Sequence, residues 1–109
     1  MIMQFKYDVE AIFHFIGDRK NNIYEGYRPA HMVKTGYLTT GVHSYYEIKN
    51  GADEIKGMIA FISPQFYPNC LWIGKKIEMY EGSKRVGHAI ITQIFNPTLK
   101  SNNVIHHIE

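Results

Sequence analysis

The chain has one cysteine, Cys70, among its 109 residues. A single cysteine cannot close an internal disulfide, so the fold must be held by its core, as suits a reducing compartment. No apolar run approaches the ~20 residues that a membrane-spanning helix needs. The start, Met1-Ile2-Met3-Gln4-Phe5-Lys6, lacks the basic end and long apolar stretch of a secretory signal. A soluble, cytoplasmic protein with no membrane contact is therefore expected. A strong charge is also missing. The net value of +2 falls short of the basic surplus of a dedicated nucleic-acid binder, but the surplus is uneven: residues 1–54 carry six basic and seven acidic groups, residues 55–109 six and three. Helical periodicity, internal repeats and low-complexity tracts are all absent. So is the Gly-x-x-x-x-Gly-Lys-Ser/Thr loop that nucleotide hydrolysis would require.

What the chain has is an ordinary globular hydrophobic content of 45% and an aromatic share of 14%, rich in tyrosine. Such side chains favour pleated surfaces. Six β-type runs can be read. Residues 6–15 alternate, with Tyr7, Val9, Ala11, Phe13 and Phe15 on one face and Lys6, Asp8, Glu10 and His14 on the other. A polar loop over Gly17–Asn22 follows. The second run spans His31–Thr40, with Gly36 read as a bulge. Tyr45–Ile48 is a third, before the tight-turn signal Asn50-Gly51. Met58–Ser63 is a fourth, ended by Pro64; Pro64 and Pro68 keep Gln65-Phe66-Tyr67 out of any central strand. Leu71–Tyr80 and Arg85–Phe95 complete the set, joined by the hairpin turn Glu81-Gly82-Ser83-Lys84. Short strands with turn signals and no covering helices predict an all-β domain, a small closed six-stranded antiparallel barrel over residues 1–98, with a loosely attached polar tail over 99–109.

The chemistry-bearing residues support no catalytic constellation. His14, His31, His43, His88, His106 and His107 show no ligand spacing on a shared strand face, so no metal or cofactor is expected. Cys70 has no recognisable base beside it. Lys75, Lys76, Lys84 and Arg85 flank the final hairpin and could meet phosphates, or simply be its solvated face. Arg28 reads either as a phosphate clamp or as a structural arginine stacked on Tyr27.

Two passages carry a family resemblance: Gly26-Tyr27-Arg28-Pro29 followed by Lys34-Thr35 and Thr39-Thr40-Gly41, and Glu81-Gly82-Ser83-Lys84-Arg85-Val86-Gly87-His88-Ala89. In order and separation they resemble the third domain of bacterial elongation factor Tu, over roughly residues 5–95. That resemblance implies a six-stranded barrel that contacts the T stem of aminoacyl-tRNA beside a GTPase domain and a middle domain, neither of which these 109 residues contain. It implies tRNA-facing roles for Thr40, in a strand-end turn, and for Glu81 and Gly82. Ala30 and Tyr80 stand where the family has glutamine and arginine.

Two non-enzymatic functions are thus expected. One is a binding module for tRNA or structured RNA, using Arg28, Thr40, Glu81, Gly82, Lys84 and Arg85. The other is a protein-interaction module, docking a partner or a second copy of itself through a barrel face that sister domains would otherwise cover.

Overall fold

The computed structural model describes residues 6–101. Met1–Phe5 and the expected tail beyond Ser101, with His106 and His107, lie outside the described residues. Six strands, β1 (Val9–Phe15), β2 (Ala30–Lys34), β3 (Tyr37–Tyr45), β4 (Ile55–Phe61), β5 (Lys76–Glu81) and β6 (Lys84–Ile94), close a barrel in the order β1-β4-β3-β2-β5-β6. Every pairing between strands is antiparallel, so the all-β six-stranded barrel expected from the sequence is the fold.

Period-two alternation builds the interior. Val9, Ala11, Phe13 and Phe15 of β1 meet Ile59 and Phe61 of β4, Ile77 and Met79 of β5, and Ala89 and Ile91 of β6 in one buried cluster. Removing such side chains from water supplies most of the stabilisation, about 1.5–3 kcal/mol for each large one.

Apart from shifted ends of β1 and β4, the strand divisions differ from the sequence reading in three places. Gly36 does not mark a bulge inside one long strand. With φ +75° it forms, with Thr35, the two-residue turn between β2 and β3, and the register shift falls between Met32 and Lys34. Tyr46–Ile48 is not a strand; β3 ends at Tyr45, and the Tyr46 hydroxyl donates to Glu10 (2.7 Å). Residues 71–75 are not strand either: β5 starts at Lys76, and Leu71 makes one parallel bridge to Lys100.

Asp8 and Glu10 fall on the polar side of the alternating run, yet both are buried. Asp8 staples three segments: one carboxylate oxygen accepts from the Phe61 N–H (2.7 Å) and the other from Asn96 Nδ2 (2.8 Å). Glu10 accepts from Thr92 Oγ1 at 2.6 Å as well as from Tyr46, and the Thr92 hydrogen bond above all holds its pKa below the usual carboxylate range. The start of the 99–109 segment is docked: Leu99 is fully buried and the Ser101 N–H donates to the Leu71 carbonyl (2.7 Å).

Candidate functional site

Strand register brings the sequence-predicted residues to one end and one outer face of the barrel. Thr40 pairs with Ala30, Ala30 with Tyr80, and Tyr80 with Arg85, a single row across β3, β2, β5 and β6. Thr40 therefore lies within β3 rather than in a strand-end turn. Arg28, just before β2, is exposed beside this row, and Gly82 and Ser83 make the two-residue turn that sets Lys84 and Arg85 on its other flank.

The four-residue basic group is divided. Lys75 is half-buried: its ammonium donates to the carbonyls of Val33 (2.6 Å) and Cys70 (2.7 Å) and lies 4.5 Å from the centre of the Trp72 ring. Burial lowers its pKa from the usual lysine value. Lys76 (3.7 Å) and Arg85 both pair with Glu78. Lys84 is exposed at the turn.

Glu81 faces inward to close the barrel end. It accepts a hydrogen bond from the Tyr27 hydroxyl and pairs with Arg19 Nη2 at 2.8 Å. The Tyr27 hydrogen bond first, then Arg19, hold its carboxyl below the ordinary value, while burial raises the Tyr27 phenol. The cation over Tyr27 is Arg19, at 4.6 Å from the ring centre, so the expected Arg28–Tyr27 stack is replaced by one with an arginine from the 17–22 loop. Arg19 also donates to the Asn22 carbonyl (2.8 Å) within its own loop, so its pairing with Glu81 ties that loop to the hairpin. Its position in a polar loop carried no signal of this role.

A second feature lies on the outer side of β2, β3 and β4. Register sets Met32 beside Leu38 and Val42 beside Ala60, with Met58 and Ile62 flanking them. None of these side chains is ionisable. Leu38 and Ile62 are about half exposed (48% and 52%), and Phe66, in the short turn Pro64–Phe66 that follows, is 69% exposed. Thr40 sits among them on β3, and exposed apolar surface clustered in this way marks interaction sites more often than single scattered side chains do.

The interior holds a polar chain that sequence spacing did not disclose. His31 and His43, both fully buried, face each other through Nε2 atoms 2.8 Å apart, and His43 Nδ1 lies 2.7 Å from the Tyr45 hydroxyl. Burial drives the His31 pKa down to about 4 and that of His43 well below its usual value. Cys70 is buried, and burial raises its thiol pKa, the opposite of what a nucleophile needs. Among the described residues no group of three or more His, Cys, Asp or Glu could hold a metal ion, and no helix is long and apolar enough to cross a membrane. No family model and no curated protein matches the chain.

Proposed function

We propose that the chain is a non-enzymatic docking module of the elongation factor Tu third-domain type, which binds a protein partner through the outer face of β2, β3 and β4. The observation that carries this reading is the uncharged surface around Leu38, Val42, Ala60 and Ile62, half exposed at Leu38 and Ile62. A patch of uncharged side chains, bordered by Lys34 and Lys56, matches an apolar partner surface without the cost of burying unpaired charge at its centre. In the resembling family, neighbouring domains cover part of the third barrel, and a partner protein takes that place here. The non-enzymatic part of the reading is supported by other residues: the buried imidazoles of His31 and His43 are committed to each other, and burial holds Cys70 as a neutral thiol.

A second reading, contact with tRNA or structured RNA, is favoured by the Thr40-Ala30-Tyr80-Arg85 row, with Arg28 and Lys84 at its edges. Against it stands the pairing of Arg85, the row's own cation, with Glu78, which lowers the positive field that phosphates require along that row. The two positions that depart from the family pattern, Ala30 and Tyr80, are direct cross-strand partners, so two polar groups have been replaced together at one spot.

Paired variants separate the readings. Leu38→Glu/Ile62→Glu places two carboxylates on the apolar face, and Arg28→Ala/Lys84→Ala removes two cations from the row. A protein partner retained by the wild type and by the second variant, but lost from the first, supports docking. Salt-sensitive tRNA retention lost only from the second variant would replace docking by the RNA reading.

A further inference from the structure

β2 and β5 pair through only two positions, Ala30 with Tyr80 and His31 with Met79. Beyond His31 the ladder between them ends, and Val33 has no partner on β5. The Lys75 ammonium substitutes for the missing ladder donor by binding the Val33 carbonyl (2.6 Å) and ties it to the Cys70 carbonyl (2.7 Å). The split seam leaves a groove of about 500 Å³, walled by Met32, Pro68, Cys70 and Trp72, with Lys34, Lys76 and Glu78 at its rim.

We infer that this groove binds a nucleoside monophosphate, with the base against Trp72 and the phosphate between Lys34 and Lys76. The volume suits a molecule of that size. Lysine ammonium groups bind phosphate as point charges, and base–aromatic stacking tolerates any base. Glu78 lies 3.7 Å from Lys76 and supplies an acceptor for ribose hydroxyls, a role that a bare anion would leave empty. Lys75, itself part of the lining, adds positive potential without leaving its two carbonyls. The site meets the apolar outer face at Met32, and the Lys34→Gln/Lys76→Gln variant separates the two by leaving Leu38 and Ile62 in place.

Trp72 is the sole tryptophan, which makes its fluorescence and its indole N–H resonance direct reporters of the groove. Titration with AMP, adenosine and inorganic phosphate into the intact chain tests the inference. The expected result is a saturable response to AMP with a Kd of about 1 mM or tighter, weaker responses to adenosine and to phosphate, and a roughly tenfold weaker AMP affinity in Lys34→Gln/Lys76→Gln. No saturable response to AMP, equal affinity for inorganic phosphate, or an unchanged Kd in the Lys34→Gln/Lys76→Gln variant would overturn it. An unchanged set of amide resonances in that variant without ligand shows that its barrel is intact.

Discussion

His31 and His43 share one proton across 2.8 Å in the middle of the barrel, and the neighbours on each side dictate its position. His31 Nδ1 lies 3.3 Å from the Thr39 carbonyl, which can only accept, so Nδ1 carries hydrogen and Nε2 is the acceptor. His43 Nε2 must then donate, which leaves His43 Nδ1 to accept from the Tyr45 hydroxyl at 2.7 Å. The chain runs in one direction from Tyr45 to Thr39, with both rings neutral.

Acid should unfold the barrel earlier than its carboxylates alone would require. The folded state holds His31 at about 4 against 6.5 when unfolded, so the unfolded chain binds more protons as pH falls. This contribution is fully present above pH 6.5 and is lost progressively down to about pH 4, at a cost on the order of 3 kcal/mol for His31. The lowered pKa of His88 acts in the same direction. Urea midpoints at pH 7, 6 and 5 check this, because carboxylates contribute little in that window; a flat midpoint would refute it.

Tyr45→Phe removes the only donor to His43 Nδ1 that the hydrogen-bond chain supplies, and leaves a buried acceptor without a partner. A loss of about 1–3 kcal/mol is expected from denaturant unfolding. The Nε2–H resonance of His43 should shift in the same variant, and an unmoved resonance would contradict the assigned direction.

At the hairpin end, Glu81→Ala strands both Tyr27 and Arg19, whereas Lys84→Ala removes only an exposed side chain. The first should cost about 1–2 kcal/mol and the second less than about 0.5 kcal/mol, by thermal melting. Equal melting temperatures would mean that Glu81 does not hold the 17–22 loop.

Lys75→Met keeps the aliphatic stem but deprives the Val33 and Cys70 carbonyls of their donor. Destabilisation of about 1–3 kcal/mol is expected. Hydrogen exchange should quicken at the amides of β2 and β5 before those of β1; uniform acceleration would place the effect elsewhere.

Gly57 sits on the inner side of β4, where an added Cβ would come within 2.3 Å of the Ser44 carbonyl and 3.2 Å of Phe13. Backbone cannot yield there without opening the β3–β4 ladder. Gly57→Ala should cost about 3 kcal/mol or more, and a variant with wild-type stability would show that the ladder gives way cheaply.

How much of this was legible in the sequence varied with the kind of signal. The β5–β6 hairpin was, because Glu81-Gly82-Ser83-Lys84 has both hairpin length and a glycine at the turn. Gly36 was misread because a glycine inside an apolar run signals a bulge and a two-residue turn equally well. That one ambiguity merged β2 with β3 and hid the facing of His31 and His43, which depends on the turn between them. Glu10 was misplaced because alternation reports which side a residue takes but not what later folds over it, here Tyr46. The exchange of Arg28 for Arg19 beside Tyr27 is a contact across 8 residues of irregular loop, for which no periodicity exists.

β1 meets β6 along its whole length, from Val9 opposite Ile94 to Phe15 opposite Gly87, so the earliest strand to leave a ribosome waits for the latest. Until residue 94 has been synthesised, β1 and β5 each present an open edge to other nascent chains. Biosynthesis of this protein therefore passes through an unavoidable interval of vulnerability, and a message cut short within β6 yields a sticky half-closed sheet rather than a smaller working barrel.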